Sequence, residues 1–139
     1  MPISEQTEAD QSRQSATDFL AVAAEVLYLV NLLLLPVIAF IILLLMFFLR
    51  KDTASVLARS HMKQAVITSL WAAALLVIVN GIILLVGGYH GPYVWMTVII
   101  YFTLGHSSFI LLGVIGLIKA LAGQYWQYPL VGCPPADKH

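Results

Sequence analysis

The chain has 139 residues, 60% of them hydrophobic and only 10% charged, with a formal net charge of zero and a mean hydropathy of +0.90. A soluble domain carries about 25% charged residues, so the deficit excludes an ordinary water-soluble fold and selects the membrane class. Without a basic block, nucleic-acid binding has nothing to rest on, and the single cysteine, Cys133, cannot close an internal disulfide. It reads as an incidental thiol with no zinc-ligand neighbours.

Residues 1–16 are rich in Gln, Ser, Glu and Asp and have no apolar periodicity, which predicts a disordered polar tail. Its acids Glu5, Glu8 and Asp10 stand where a signal peptide needs positive charge. Ser15 followed by Asp18 is a weak capping box. A helix therefore starts near Thr17, lies partly along the interface and continues into the first span. Glu25 marks the water boundary. It either shares a solvated face with Asp18 or turns inward onto a basic partner.

Three runs carry no formal charge: 26–49, 65–86 and 93–118. Each exceeds the roughly 20 apolar residues needed to cross a bilayer as a helix. The expected fold is an all-α membrane protein with three transmembrane helices over residues 17–131, followed by a Pro-rich tail, 132–139. Pro36 lacks an N–H and frees the carbonyl of Leu32, predicting a kink in the first span. All five formal charges between residues 26 and 118 lie in the segment 50–63, four of them Lys or Arg, while the loop 87–92 has none. The positive-inside rule places that segment and the C-terminus in the cytoplasm of a bacterial inner membrane, with the N-terminus outside. Tyr28, Tyr89, Tyr93 and Trp95 would then mark the outer boundary, and Tyr125, Trp126 and Tyr128 the inner one.

Polar residues inside spans are functional candidates. With antiparallel spans, Asn31, Asn80 and Thr97 fall at similar depth, predicting a polar layer in the outer leaflet, with His106 deeper on the third span. Such a layer is interhelical glue, each bond worth about 0.6 kcal/mol, or else a substrate or ion site. His106 is a satisfied core histidine, a proton relay or a haem or metal ligand. No second histidine is expected at its depth, so no cofactor or metal is assigned. Gly113, Gly116, Ala120 and Gly123 form a small-residue stripe suited to close helix packing. His106 and Ser107 are adjacent on one helix, where side chains at i and i+1 do not face each other. Enzyme activity is not expected.

Two clusters carry a family resemblance. The first is Arg50-Lys51-Asp52, Ser55 and His61-Met62-Lys63-Gln64-Ala65; the second is Gly123, Tyr125, Tyr128 and Pro129. The pattern resembles small bacterial membrane proteins of unknown function grouped with the chloroplast inner-envelope translocon (Tic) channel subunit, over about residues 28–131. It departs from them at the start of the first span, where this chain has Leu27-Tyr28-Leu29-Val30-Asn31. The resemblance implies a three- or four-helix membrane bundle and little about activity. Physically, Asp52 and Ser55 are turn or N-cap types. Both clusters fall on one membrane face, so they are expected to touch, with Tyr125 or Tyr128 near His61. Each could equally anchor its own helix at the interface.

These features favour a non-enzymatic accessory or scaffold subunit whose partners are the lipid bilayer and other membrane subunits. The alternative is a homo-oligomeric, translocon-like pore built from copies of the chain. A proton- or redox-linked role for His106 lacks partners within the chain.

Overall fold

The computed structural model describes residues 3–50 and 52–129. Lys51, Cys133 and the tail 132–139 therefore lie outside the described residues. The elements are α1 (Ile3–Leu33), α2 (Pro36–Arg50), α3 (Val56–Ala73), a π-helical stretch (Ala74–Val79), α4 (Asn80–Gly87) and α5 (Val94–Leu121). Three helical stretches are long and apolar enough to cross a membrane: Ile3–Leu33, Val56–Gly87 and Val94–Leu121. The chain is an all-α, multi-pass membrane protein.

The first span differs from its expected form at both ends. Helix α1 starts at Ile3, so residues 3–16 are helical rather than disordered, and Ser15 lies inside the helix instead of capping it. Their Glu, Gln, Ala and Arg content has good helix propensity, and Glu5 in the first turn complements the helix dipole. At the other end the apolar run 26–49 is two helices. The Val30 carbonyl accepts from Leu34 N at 2.9 Å and Leu35 N at 3.1 Å. Pro36 then opens α2 in the first-turn position that tolerates a missing N–H.

This break is a reversal, not a kink. Phe19 and Leu20 line one pocket with Arg50, Thr53 and Ala54. In a straight helix Leu20 and Arg50 would be about 45 Å apart at 1.5 Å per residue. Leu43 shares the core with Ala24 and Tyr28. The α1–α2 pair is thus a helical hairpin.

The reversal sets every later direction. Asp18 lies by Ser55 and Val56, Glu25 by His61, and Asn31 by Ser69, so α1 and α3 run parallel. A Cβ at Gly116 would meet Glu25, and one at Gly113 would meet Tyr28, so α5 runs antiparallel to α1. Arg13 and Asp18 line a pocket with Tyr125. The N-terminal part of α1 and the exit from α5 therefore share one end of the bundle, not the opposite ends expected from three straight spans. At the other end, α4 packs on α5 and reaches neither α1 nor α2 among the described residues.

Two local devices hold these turns. Gly123, with φ +63, ends α5: its N–H bonds to Ala120 O at 3.0 Å, and Gln124 N bonds to Lys119 O at 2.9 Å. That bond pair is a Schellman motif, whose left-handed residue favours glycine. In the π stretch, Leu75 O accepts from Tyr101 Oη at 3.2 Å and Leu76 O accepts from Asn80 Nδ2 at 2.5 Å. Side chains thus take up carbonyls of the widened turn.

The hairpin makes a topological prediction. In a Cys133→Ser background, single cysteines at Glu8 and Arg59 should both react with a membrane-impermeant maleimide added to the same face of sealed vesicles. Labelling from opposite faces would contradict the reversal at Leu34–Leu35.

Candidate functional site

The segment 122–129 leaves α5 and folds back against the bundle, which brings the two sequence clusters together. At their junction lies Glu25, 0% exposed, with His61 at 1%, Gln64 at 2% and Tyr128 at 1%. Glu25 Oε1 is 2.7 Å from His61 Nδ1, and Tyr128 Oη donates to Glu25 Oε2 at 2.5 Å. His61 Nε2 is 2.9 Å from the carbonyl of Gln124. Gln64 donates through Nε2 to the Trp126 carbonyl and accepts through Oε1 from Tyr128 N at 2.8 Å. Tyr28 completes the cluster, donating to Phe109 O at 3.1 Å and meeting the Tyr128 ring edge-on at 5.6 Å between centroids.

The proton inventory follows from the acceptors. A carbonyl only accepts, so His61 Nε2 carries a proton. The contact between Nδ1 and Oε1 holds one more proton. Glu25 and His61 are therefore a net-neutral pair, an imidazolium beside a carboxylate or its proton-transferred equivalent. Of the two sequence-level readings of Glu25, the structure has the inward one. Burial first, and then the Glu25 carboxylate, push the Tyr128 phenol well above its ordinary value of 10.0. Tyr128 thus stays a neutral donor in the folded protein.

The other cytoplasmic-motif residues serve around this network. Ser55 caps α3, accepting from Ala58 N at 3.2 Å. Asp52 lies in the exposed turn, and Lys63 and Pro129 are exposed. Tyr125 points away, 53% exposed, so the aromatic that meets the cluster is Tyr128. The small-residue stripe is used inside the chain. Gly113 and Gly116 are buried, and a Cβ at Gly116 would stand 2.6 Å from both Glu25 Oε2 and Tyr128 Oη. Ala120 is buried at 1%, whereas Gly123 is the helix stop rather than a packing surface.

The expected polar layer is not one layer. Because α1 runs parallel to α3, Asn31 lines one cavity with Ser69, which is about 16 Å along the helix from Asn80 at 1.5 Å per residue. Asn80 bonds within its own helix. Thr97 is exposed and bonds back to Tyr93 O at 3.0 Å. His106 stacks on Phe102 at 5.2 Å, and its Nδ1 has no hydrogen-bond partner among the described residues. Glu25 is the residue that composition undervalued. Its signal was a single acid in the otherwise uncharged stretch 19–49, with a histidine in the charged segment 50–63.

The network predicts a graded series. Glu25→Ala leaves a buried imidazole uncompensated and should lower unfolding free energy in detergent by about 3–5 kcal/mol. Tyr128→Phe removes one charge-assisted bond and should cost about 1.5–3 kcal/mol. The His61→Ala/Tyr128→Phe cycle should show coupling above about 0.5 kcal/mol; additive losses would mean the residues act separately. The raised Tyr128 pKa also fixes a sign. Its contribution to stability is intact below pH 10 and is lost above it, because the unfolded chain ionises first. Melting temperature should fall above about pH 10, and less steeply in Tyr128→Phe.

Comparison with curated proteins and with solved structures gives no match. The sequence pattern of the MamF/MmsF family, described as the magnetosome magnetite crystal formation protein family, matches residues 18–133. That span contains both clusters, the reversal between α1 and α2 and the whole Glu25 network. It overturns the resemblance to relatives of the chloroplast translocon channel, which rested on two short clusters rather than on the length of the chain. The chain belongs to the MamF/MmsF magnetosome magnetite crystal formation protein family.

Proposed function

We propose that the protein is a non-catalytic accessory subunit of the magnetosome membrane that scaffolds other components of the magnetite-forming assembly. The observation that carries this reading is how the buried polar groups are used. Glu25, His61, Gln64 and Tyr128 bond to one another and to the exit backbone. A carboxylate and imidazole committed in this way act as a clamp, with no open position for a substrate. Family membership supplies the membrane and the process. The end of the molecule away from the Glu25 network offers the surface, since α4 and α5 expose Leu85, Val86 and Ile99 there, at 85%, 84% and 61%. In a bilayer such faces meet lipid or the helices of other subunits.

Native mass spectrometry after mild detergent extraction of magnetosome membranes tests this proposal. A complex with other membrane proteins is expected, and Leu85→Asn/Ile99→Asn should weaken it. Recovery of the chain only alone, or only with copies of itself, would contradict the scaffold reading.

A further inference from the structure

Six buried side-chain polar atoms have no hydrogen-bond partner among the described residues, and three of them, Asn31 Oδ1, Ser69 Oγ and His106 Nδ1, belong to residues lining one cavity. The cavity, about 490 Å³, lies between the tip of the hairpin, α3 with its π stretch, and α5. This is within the roughly 300–1,000 Å³ of small-molecule sites. Its other walls are apolar, including Phe40, Ala73 and Phe102, and among the described residues no Lys, Arg, Asp or Glu lines it. Ser69 is only 2% exposed. The π stretch contributes Leu76 and Val77 to the wall, and such irregular turns recur at functional sites.

We propose that this cavity binds a neutral lipid whose head carries a hydroxyl. Three observations select that class. The cavity lies beside spanning helices at the level where the hairpin stops, so its ligand comes from the bilayer. Its lining has no charged side chain, so a phosphate head would be buried without a counter-ion, which is costly. Asn31 Oδ1 can only accept, whereas Ser69 Oγ can donate and His106 Nδ1 donates or accepts with its tautomer. A hydroxyl gives its proton to Asn31 and takes one from Ser69, beside His106. An ester, ether or oxidised quinone offers acceptors alone and leaves Asn31 unpaired, which costs about 1–3 kcal/mol when the group is buried. A diacylglycerol and a reduced quinol both carry the required group.

The test uses the full chain in phosphatidylcholine vesicles with a diazirine-bearing diacylglycerol, and maps labelled peptides by mass spectrometry. Labelling is expected on peptides containing residues 69–77 and 102–106. Excess dioleoylglycerol or a short-chain benzoquinol should compete, and whichever does so identifies the source of the hydroxyl. Trioleoylglycerol, which lacks a free hydroxyl, should not compete. Ser69→Ala, which preserves the wall, should weaken labelling about five- to tenfold, the equivalent of one lost hydrogen bond. Ala73→Phe, which fills the cavity, should abolish it. Labelling spread evenly over lipid-facing helices, equal competition by trioleoylglycerol, or no response to Ser69→Ala would each overturn the proposal.

Discussion

An isolated carboxylate inside an apolar helix is too costly to keep, and must be neutralised or paired with its remaining lone pairs satisfied. Glu25 stands in that position on α1. It is satisfied by groups 36 and 103 residues away in the chain, His61 and Tyr128. Each of those is fixed in turn: His61 by the Gln124 carbonyl, and Tyr128 by Gln64. One acid therefore ties α1, the start of α3 and the exit from α5 into a single end. Gly116 gives the carboxylate room, and Gly123 turns the chain back so that Tyr128 can arrive. Breaking the pair would leave a buried charge, so the end is held together by the penalty for opening it as much as by the bonds themselves.

Much of this was legible in the amino-acid order. Uncharged runs marked the membrane class, Pro36 marked the break and Ser55 marked a cap, while the shared face of the charged segment and the Tyr-Pro exit allowed their contact without deciding it against separate anchoring. What could not be read was the geometry at Pro36. Losing one N–H permits either a kink or a full reversal, and the choice rests on how α2 packs against α1 and α3, which no local signal encodes. A 24-residue apolar run is also long enough to cross a bilayer straight. Once the reversal is missed, α1 points the wrong way. Asn31 then pairs with the wrong depth on its neighbour, and the start of α1 and the exit from α5 fall at opposite ends of the bundle. Residues 3–16 were misread for a related reason, because composition reports how little they can bury, not that an attached helix can extend through them.

The molecule divides into ends with different physics. At one, four helices and a returning strap enclose a saturated polar network. At the other, α4 and α5 continue as a pair whose apolar sides meet the bilayer or its other proteins. Between them, where the hairpin stops, the helix periodicity changes at the π stretch and three polar atoms without partners among the described residues gather around one cavity. Buried polar bonding is concentrated at the first end and exposed apolar surface at the second.

The central claim, that Glu25 and His61 form a buried pair, can be measured directly in the membrane. Magic-angle-spinning NMR of protein labelled with carboxyl-¹³C glutamate and ring-¹⁵N histidine, reconstituted in bilayers, reports Glu–His dipolar contacts. With Oε1 and Nδ1 2.7 Å apart, a strong contact is predicted, and it should vanish in His61→Gln while persisting in His90→Gln and His106→Gln. Absence of any carboxyl–imidazole contact in the unmodified protein would contradict the account.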